Sequence, residues 1–569
     1  MADADADARP AGDPRTERRH VLSFAVEDHF QVSAFSGLVR TEHWHRFEPR
    51  IEHNTQRVLD LLDEQGVKAT FFTLGWVADE MPGVVREIVA RGHELASKGY
   101  LHRSLLEMGP EEFRADARRS RTALEQAAGV QVLGYRLARG HLETTDHWAL
   151  DVLAEEGYRY DSSVYPRGFS AAGQPWLRRP FVHKSGAGEL HELPLTSWSF
   201  AGLSLPIAGG AWLRHAPHKV VGRLVAHRVR TDPAPLIMYF HVWELDEDLP
   251  RITGATRAAQ YKQYHKLDKT IWCLRHYLSR YRFGPARDWL QLPTQTLGAP
   301  ATPAAAAAAP LPPPPIQWPG GAPVTLVVPC YNEERVLRYL RNTLAELAKD
   351  LAGRWSLQCV FVDDGSSDGT YAQLLEHFGR EPGCQVLRHE RNAGVARAIL
   401  TGLRHAETEV VCSIDCDCTY DPHQIERLLP LLGDDVAVVT ASPYHPQGEV
   451  RNVPGWRLFL SRGLSFVYRR LFRHKLYTYT SCFRAYRRSR VADVELREGG
   501  FLGVAEFLMV VDRRGQGIAE APAVLETRLV GHSKMKVLRT IRGHLRLIGR
   551  MLLERGAAPR APGATPLPR

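Results

Sequence analysis

The chain has 569 residues and a formal charge of +9, and it is too long for one hydrophobic core, because single cores stop growing at about 250–300 residues. Apolar and charged fractions of 44% and 24% exclude a disordered or collagen-like polymer and predict globular domains of enzyme size. The positive charge is local: Arg451 to Arg490 holds eleven Lys/Arg and no acid, and from Gly531 onward nine face the single Glu554, which attracts phosphate-bearing partners.

In chain order, "MADADADARPAGDPRTERRH" carries acids where an export signal needs bases, and no apolar stretch follows. Residues 1–19 are therefore read as a disordered tail and the chain as cytoplasmic. No run is apolar and uncharged enough to span a bilayer. "HVLSFAVED", "TQRVLDLLDEQG", "KATFFTLG", "VVREIVARG" and "HELAS" alternate strand and helix patterns, and the alternation continues to "APLIMYFHVWELD". Residues 20–292 thus predict an α/β unit, a distorted β/α barrel with its chemistry at strand C-terminal ends, where Asp28, His102, Arg136, Asp161 and His241 fall. Residues 293–323, rich in Ala and Pro, predict an extended tether. Beyond it, "VTLVVPCYNEE", "LQCVFVDDGSSDGT" and "EVVCSIDCDCTYDP" end strands in polar turns, so 324–555 predict a doubly wound, Rossmann-like sheet that binds ligands at those ends; 556–569 read as a second tail. Seven of the eight cysteines follow Gln317 at spacings that form no disulfide or zinc pattern, and Cys412, Cys416 and Cys418 read as small buried residues.

Asp415 and Asp417 directly follow the buried run "EVVCSI". Alternation at a strand end brings two such carboxylates near one point, and hard oxygen pairs suit Mg²⁺ or Mn²⁺ bridging a diphosphate. "VVPCYNEE", "VDDGSSDGT", "RNAGVARAILTG" and "SIDCDCTYDP", in this order, resemble the family 2 glycosyltransferases of GT-A fold. The resemblance implies inverting transfer of a sugar from a nucleotide-sugar. It puts Pro329, Tyr331, Glu333 and Asp363 at the donor nucleoside, and Asp415 and Asp417 on metal and diphosphate. Asp364 and Asp368 stand open between ligand contact and a turn or capping role. Downstream, "TYTSCFRAYRR" and "ETRLVGHSKMK" look like the corresponding region of dolichol- or polyprenol-phosphate sugar transferases, with Cys482 in place of the usual glycine. That likeness makes Ser481, Arg484, Arg528 and Lys534 candidates to hold acceptor or donor phosphate, Arg484 and Lys534 joining the two aspartates in the catalytic set.

"PGWRLFLSRGLSFVYRRLFRHKLY" and "VLRTIRGHLRLIGRMLLER" interleave apolar side chains with arginine. Either lies on an anionic membrane surface as an amphipathic helix, or packs on the core with a solvated basic face. No nucleic-acid-binding signature accompanies the charge.

"FAVEDHFQVSAF", "GHELASKGYLHRS", "GYRLARG", "YDSSVYP", "LPIAGGAW" and "YFHVWELD" follow the order of the polysaccharide deacetylases, NodB-like enzymes, and most resemble the exopolysaccharide subgroup with a C-terminal extension. In that family an Asp and two His bind zinc or a similar ion, a carboxylate activates water and a late His protonates the leaving amine. Carried over, Asp28 is the metal-binding Asp, Glu27 or the position of Ala25 supplies the base, His102 is the second metal-binding His, and His241 is the acid. Lys98 stands at the first metal-binding His, and Arg136-Leu-Ala138 replaces Arg-Ala-Pro. A protonated lysine has no lone pair for a metal, so it would set a fixed positive charge beside Asp28. The outline predicts a deacetylase-like unit without zinc, joined to a glycosyltransferase that acts on a polyprenyl-phosphate or glycan acceptor in cell-envelope or exopolysaccharide synthesis, peripherally associated with the cytoplasmic membrane. The competing expectation is a bifunctional glycosyltransferase and N-acyl sugar deacetylase.

Overall fold

Strand Arg19–Val26 is buried at seven of its eight positions, as expected of a parallel strand covered on both faces, and it pairs with three other strands of the first sheet. The computed structural model describes residues 18–142, 146–167, 175–201, 203–293, 321–453, 455–531 and 537–555. Most of both tails, the tether from 294 to 320 and Lys534 lie outside them. The described chain divides into two units, the first comprising residues 18–44, 49–251 and 255–293 and the second residues 45–48, 252–254 and 321–555.

In the first unit the strands run in the order Ile237–His241, Arg19–Val26, Thr70–Thr73, Glu94–Ser97, Gly134–Tyr135, Tyr160–Asp161, Gly188–Glu192 and Phe181–Ser185, with Arg282–Gly284 also pairing with Arg19–Val26. All neighbours are parallel except the last hairpin. Irregular backbone spans the remaining gap, where Thr196 N donates to Ile237 O at 3.4 Å and Tyr239 N to Ala208 O at 3.0 Å. The result is the distorted barrel expected. Helices such as Ile51–Glu64 cover it, burying Ile51, Val58, Leu59 and Leu62 at helical spacing.

Asp28 departs from its expected place. Its Oδ2 accepts from Arg50 N at 2.7 Å and Ile51 N at 3.2 Å, while Oδ1 accepts from His29 N at 2.8 Å and lies 2.7 Å from His29 Nδ1. Both oxygens are therefore committed to the start of helix Ile51–Glu64 and to His29, where a carboxylate also meets the positive end of the helix dipole. The residue expected to bind metal is thus already engaged by the protein's own N–H groups.

The second unit orders its strands Cys384–Arg388, Trp355–Asp363, Ala322–Cys330, Val410–Ser413, Arg484–Arg487, Val436–Ser442 and Gly517–Pro522, with Arg484–Arg487 antiparallel to both neighbours. The first strand starts at Ala322, inside the interval read as tether, because Ala322 and Pro323 pair with Trp355 and Ser356. Leu326 and Val328 face one apolar layer with Leu340, Leu344, Leu374 and Phe378. Val327 faces the other, with Ile399, Leu403 and Leu508. A Cβ on Gly402 would lie 2.3 Å from Val327 Cγ1, so glycine lets helix Val395–His405 close onto the sheet. Both basic apolar segments are helical, Gly455–Leu471 and Val537–Arg555, and Tyr468 Oη lies 2.7 Å from His544 Nδ1 between them.

In the barrel, Asp161 and Glu192 are register neighbours on adjacent parallel strands, both fully buried. Burial raises the carboxyl of Asp161, and burial together with Asp161 raises that of Glu192 well above the usual range. Groups raised in the folded state add stability that is complete below their unfolded values of about 4 and is lost as pH rises through the folded values. Glu192→Gln should therefore be more stable than the parent by a margin in melting temperature that widens from pH 5 to pH 9; a margin independent of pH would contradict the raised carboxyl. Asp28→Ala should destabilise the barrel by about 1–3 kcal/mol in denaturant unfolding, the cost of unsatisfied buried amides; an unchanged midpoint would remove the capping role.

Candidate functional site

At the strand ends of the second unit two loops interlock. Asn332, in the left-handed region at φ 53°, accepts from Ser367 N through Oδ1 at 2.7 Å, and its own N donates to Ser366 Oγ at 2.9 Å. Glu334 Oε2 accepts from Gly369 N at 2.9 Å, and Glu333 N donates to Thr370 Oγ1 at 2.6 Å. The turn after the first strand is thus fixed by the turn after the second, holding Pro329, Tyr331 and Glu333 half-buried near the buried Asp363. Asp363 Oδ2 lies 3.2 Å from Arg388 Nε.

The open question over the neighbouring acids closes. Asp364 accepts from Ala393 N at 2.8 Å and Gly394 N at 2.7 Å, with His389 Nδ1 at 2.8 Å. It thereby anchors the loop that opens helix Val395–His405. Gly394 has φ 95°, and a Cβ there would meet the backbone of Gly499 at 2.3 Å. Asp368 Oδ1 accepts from Thr370 N at 3.0 Å at the start of helix Thr370–Phe378. Both acids thus have the turn and capping partners that one of the two expectations gave them.

Past strand Val410–Ser413, Asp415 and Asp417 are half-buried. Asp417 Oδ1 accepts from Thr419 N at 3.1 Å, and its Oδ2 lies 3.4 Å from Arg528 Nε. Arg528 also pairs with Glu333 and donates to Val530 O at 2.8 Å. Burial, Asp417 and Glu333 push the Asp415 carboxyl up to about 7, against Arg528. These four residues therefore form one cluster of three carboxylates and one guanidinium, with excess negative charge that a divalent cation would relieve. The cysteines behind it are inert: Cys330 and Cys416 lie Sγ to Sγ at 3.6 Å, and burial and neighbouring groups raise Cys412, Cys416 and Cys418 far from the thiolate form.

Two residues expected at phosphate have partners within the protein. Arg484 is 1% exposed and donates to Val504 O and Tyr479 O, each at 2.9 Å. It ties a helix to a loop inside the core. Ser481, also buried, accepts from Phe483 N at 3.2 Å as a turn hydroxyl. Lys534 lies outside the described residues. Sequence reasoning missed Arg388 beside Asp363, and Glu520, which accepts from Tyr477 N and Thr478 N and so sets the loop before Ser481. An acid in the strand "GIAEAP" was the one available signal for Glu520.

In the barrel the strand ends bring Glu27, Lys98, His102 and His241 together. Lys98 Nζ lies 2.5 Å from Glu27 Oε2 and 3.0 Å from Ala138 O. His102 Nε2 lies 3.2 Å from the same Oε2, and His241 Nδ1 lies 2.7 Å from Oε1, off the hydrogen-bonding line. Burial pushes the Glu27 carboxyl up, but Lys98, His102 and His241 more than reverse this and hold it well below its usual value. The fixed positive charge expected beside Asp28 sits beside Glu27 instead. Arg136 donates to Ser23 Oγ, Ser162 O and Ser162 Oγ at 2.9–3.0 Å and lies 4.0 Å above the Phe72 ring; burial brings its pKa down to about 10. A cavity of about 450 Å³, lined in part by Phe30, Arg40, Trp44, Leu101, His102 and Arg139, opens beside this cluster.

Residues 325–494 match the model of the glycosyl transferase family 2, residues 44–160 that of polysaccharide deacetylase, and residues 162–291 a domain of unknown function, DUF3473. The chain is similar to a dolichol-phosphate mannosyltransferase of Pyrococcus furiosus, 29% identical over 40% of this chain and 63% of that protein. It is also similar to a UDP-N-acetylglucosamine–dolichyl-phosphate N-acetylglucosaminyltransferase of Methanococcus voltae, 26% identical over 35% and 84%. A third relative, polyprenol monophosphomannose synthase of Mycolicibacterium smegmatis, is 28% identical over 37% and 80%. The chain thus spans less than two thirds of the first of these. No helix among the described residues is long and apolar enough to cross a membrane. The chain carries a family 2 glycosyltransferase domain, preceded by a polysaccharide deacetylase-type domain and a DUF3473 domain.

Proposed function

We propose that this chain transfers a sugar from a nucleotide-sugar onto a polyprenyl-phosphate or glycan acceptor, and that its barrel does not hydrolyse N-acyl sugars. The cluster of Asp415, Asp417, Glu333 and Arg528 at the carboxyl ends of a doubly wound sheet carries the reading. Its carboxylates would hold Mg²⁺ or Mn²⁺, which supplies positive charge to the departing nucleoside diphosphate. The interlocked turns at Asn332 and Ser366 would orient the nucleoside against Asp363 and Tyr331. Arg528 would exchange its pairing with Glu333 for donor or acceptor phosphate, for which its guanidinium is suited. An acceptor phosphate is already anionic and needs little help from a general base. Relatives named for dolichyl and polyprenyl phosphate support that acceptor class. A bifunctional transferase and deacetylase is disfavoured by Lys98, which fills the cation position beside Glu27.

Membrane docking is part of the same reading. Helices Gly455–Leu471 and Val537–Arg555 expose Phe459, Phe466, Leu545, Leu552 and Leu553 among the exposed Arg462, Arg469, Arg470, Arg542 and Arg546. Their opposite sides bury Tyr468, Leu547 and Met551, so the two alternatives for these segments combine: one side packs on the core and the other is free to enter an anionic leaflet.

Sugar transfer from a donor panel to polyprenyl phosphate should require Mg²⁺ or Mn²⁺, stop on chelation, and fall by about 10²–10³-fold in Asp417→Ala; full transfer under chelation, or an unaffected variant, would refute the assignment of the cluster. In sedimentation, the chain should bind vesicles containing anionic lipid and not neutral ones, and the triple change Phe459→Ser, Leu545→Ser, Leu553→Ser should weaken binding by about tenfold or more; equal binding by parent and variant would discard this docking face.

A further inference from the structure

Polysaccharide deacetylases imply a divalent metal in the barrel, and the residues here do not fit one. Asp28 spends both oxygens on the start of helix Ile51–Glu64 and on His29. Lys98 Nζ is held between two acceptors, Glu27 Oε2 at 2.5 Å and Ala138 O at 3.0 Å, which makes it the donor to both. Glu27 is 1% exposed, and His102 Nδ1 is buried without a hydrogen-bond partner.

We infer that the Lys98 ammonium is the resident cation of this site, that it excludes divalent metal, and that Glu27, His102 and His241 form a latent metal site released when Lys98 is made neutral. The inference rests on the reading of the barrel as non-hydrolytic and extends it. A buried carboxylate needs a positive partner, and one ammonium in contact satisfies it. A dication arriving at the same oxygen would face that ammonium at contact distance, so the two cations are alternatives. Without the ammonium, the pocket keeps one carboxylate and two imidazoles already gathered around it, the nitrogen and oxygen set that binds Zn²⁺ or Co²⁺. The ligand set differs from the one carried over by likeness, because Glu27 replaces Asp28. Lys98→Met removes the charge and keeps an unbranched stem in the same space; Lys98→Gln is a second neutral replacement.

The test uses the full chain in an Asp417→Ala background, which removes a ligand of the other expected cation site. After equilibration with Co²⁺ and desalting, the parent should retain no cobalt, while Lys98→Met or Lys98→Gln should retain about one equivalent per chain, with a visible absorption band and a raised melting temperature, by the linkage of metal binding to folding. Adding Glu27→Gln should abolish that gain. One equivalent in the parent at Glu27 overturns the inference without any variant, and a folded neutral variant that retains none overturns the latent site. Release of acetate from an N-acetylated glycan by metal-free parent would instead overturn the non-hydrolytic reading and leave the metal inference standing.

Discussion

A carboxylate withdrawn from water must gain a positive partner, accept hydrogen bonds or take up a proton, because leaving it charged and uncompensated costs several kcal/mol. Both units place such carboxylates at the carboxyl ends of parallel strands, and they meet the demand differently. In the barrel the partner is covalently part of the chain, Lys98 against Glu27. In the second unit the compensation is incomplete: Arg528 serves Glu333 and Asp417, yet Asp415 is still pushed up to about 7. The first site is balanced by the chain's own charge, and the second keeps an excess of negative charge.

The rest of each unit serves these clusters. Asn332, Glu334, Asp364 and Asp368 are polar residues in turns that bond to neighbouring turns, so the loops around Asp415 are fixed before a ligand arrives, which lowers the ordering cost of binding. In the barrel, Asp28 fixes the entry of a helix, and Arg136 is held by two serines over an aromatic ring. With alanine at position 25, the base position open to it holds no carboxylate. Ala25 and Lys98 are thus the two departures from the deacetylase pattern at this strand end, and the side chains around them stay packed.

Most of the architecture was legible because buried parallel strands read as apolar runs and their ends as polar turns; the first strand and the Asp415 turn lie where those patterns put them. Strand ends also explain the misplacements. Adjacent residues leaving a strand point to opposite sides, so Glu27 and Asp28 are equally good candidates in sequence and only packing decides between them. Arg484 shows a related limit of pattern reading. A long cation in a phosphate-binding pattern reads as a ligand, but it alternates with the buried Phe483 and Ala485 on an internal strand, and its guanidinium finds two carbonyls. Lys98 was readable as a departure, while its partner Glu27 was not.

The most direct test is anomalous scattering from crystals of the full chain grown with Mn²⁺, Zn²⁺ and a nucleoside diphosphate, recorded at both metal edges. The account predicts a metal peak beside Asp415 and Asp417 and none beside Glu27, with Lys98 still in contact with that carboxylate. A zinc peak at Glu27 with Lys98 displaced, or no metal beside Asp415 and Asp417 in the presence of bound nucleotide, would contradict it.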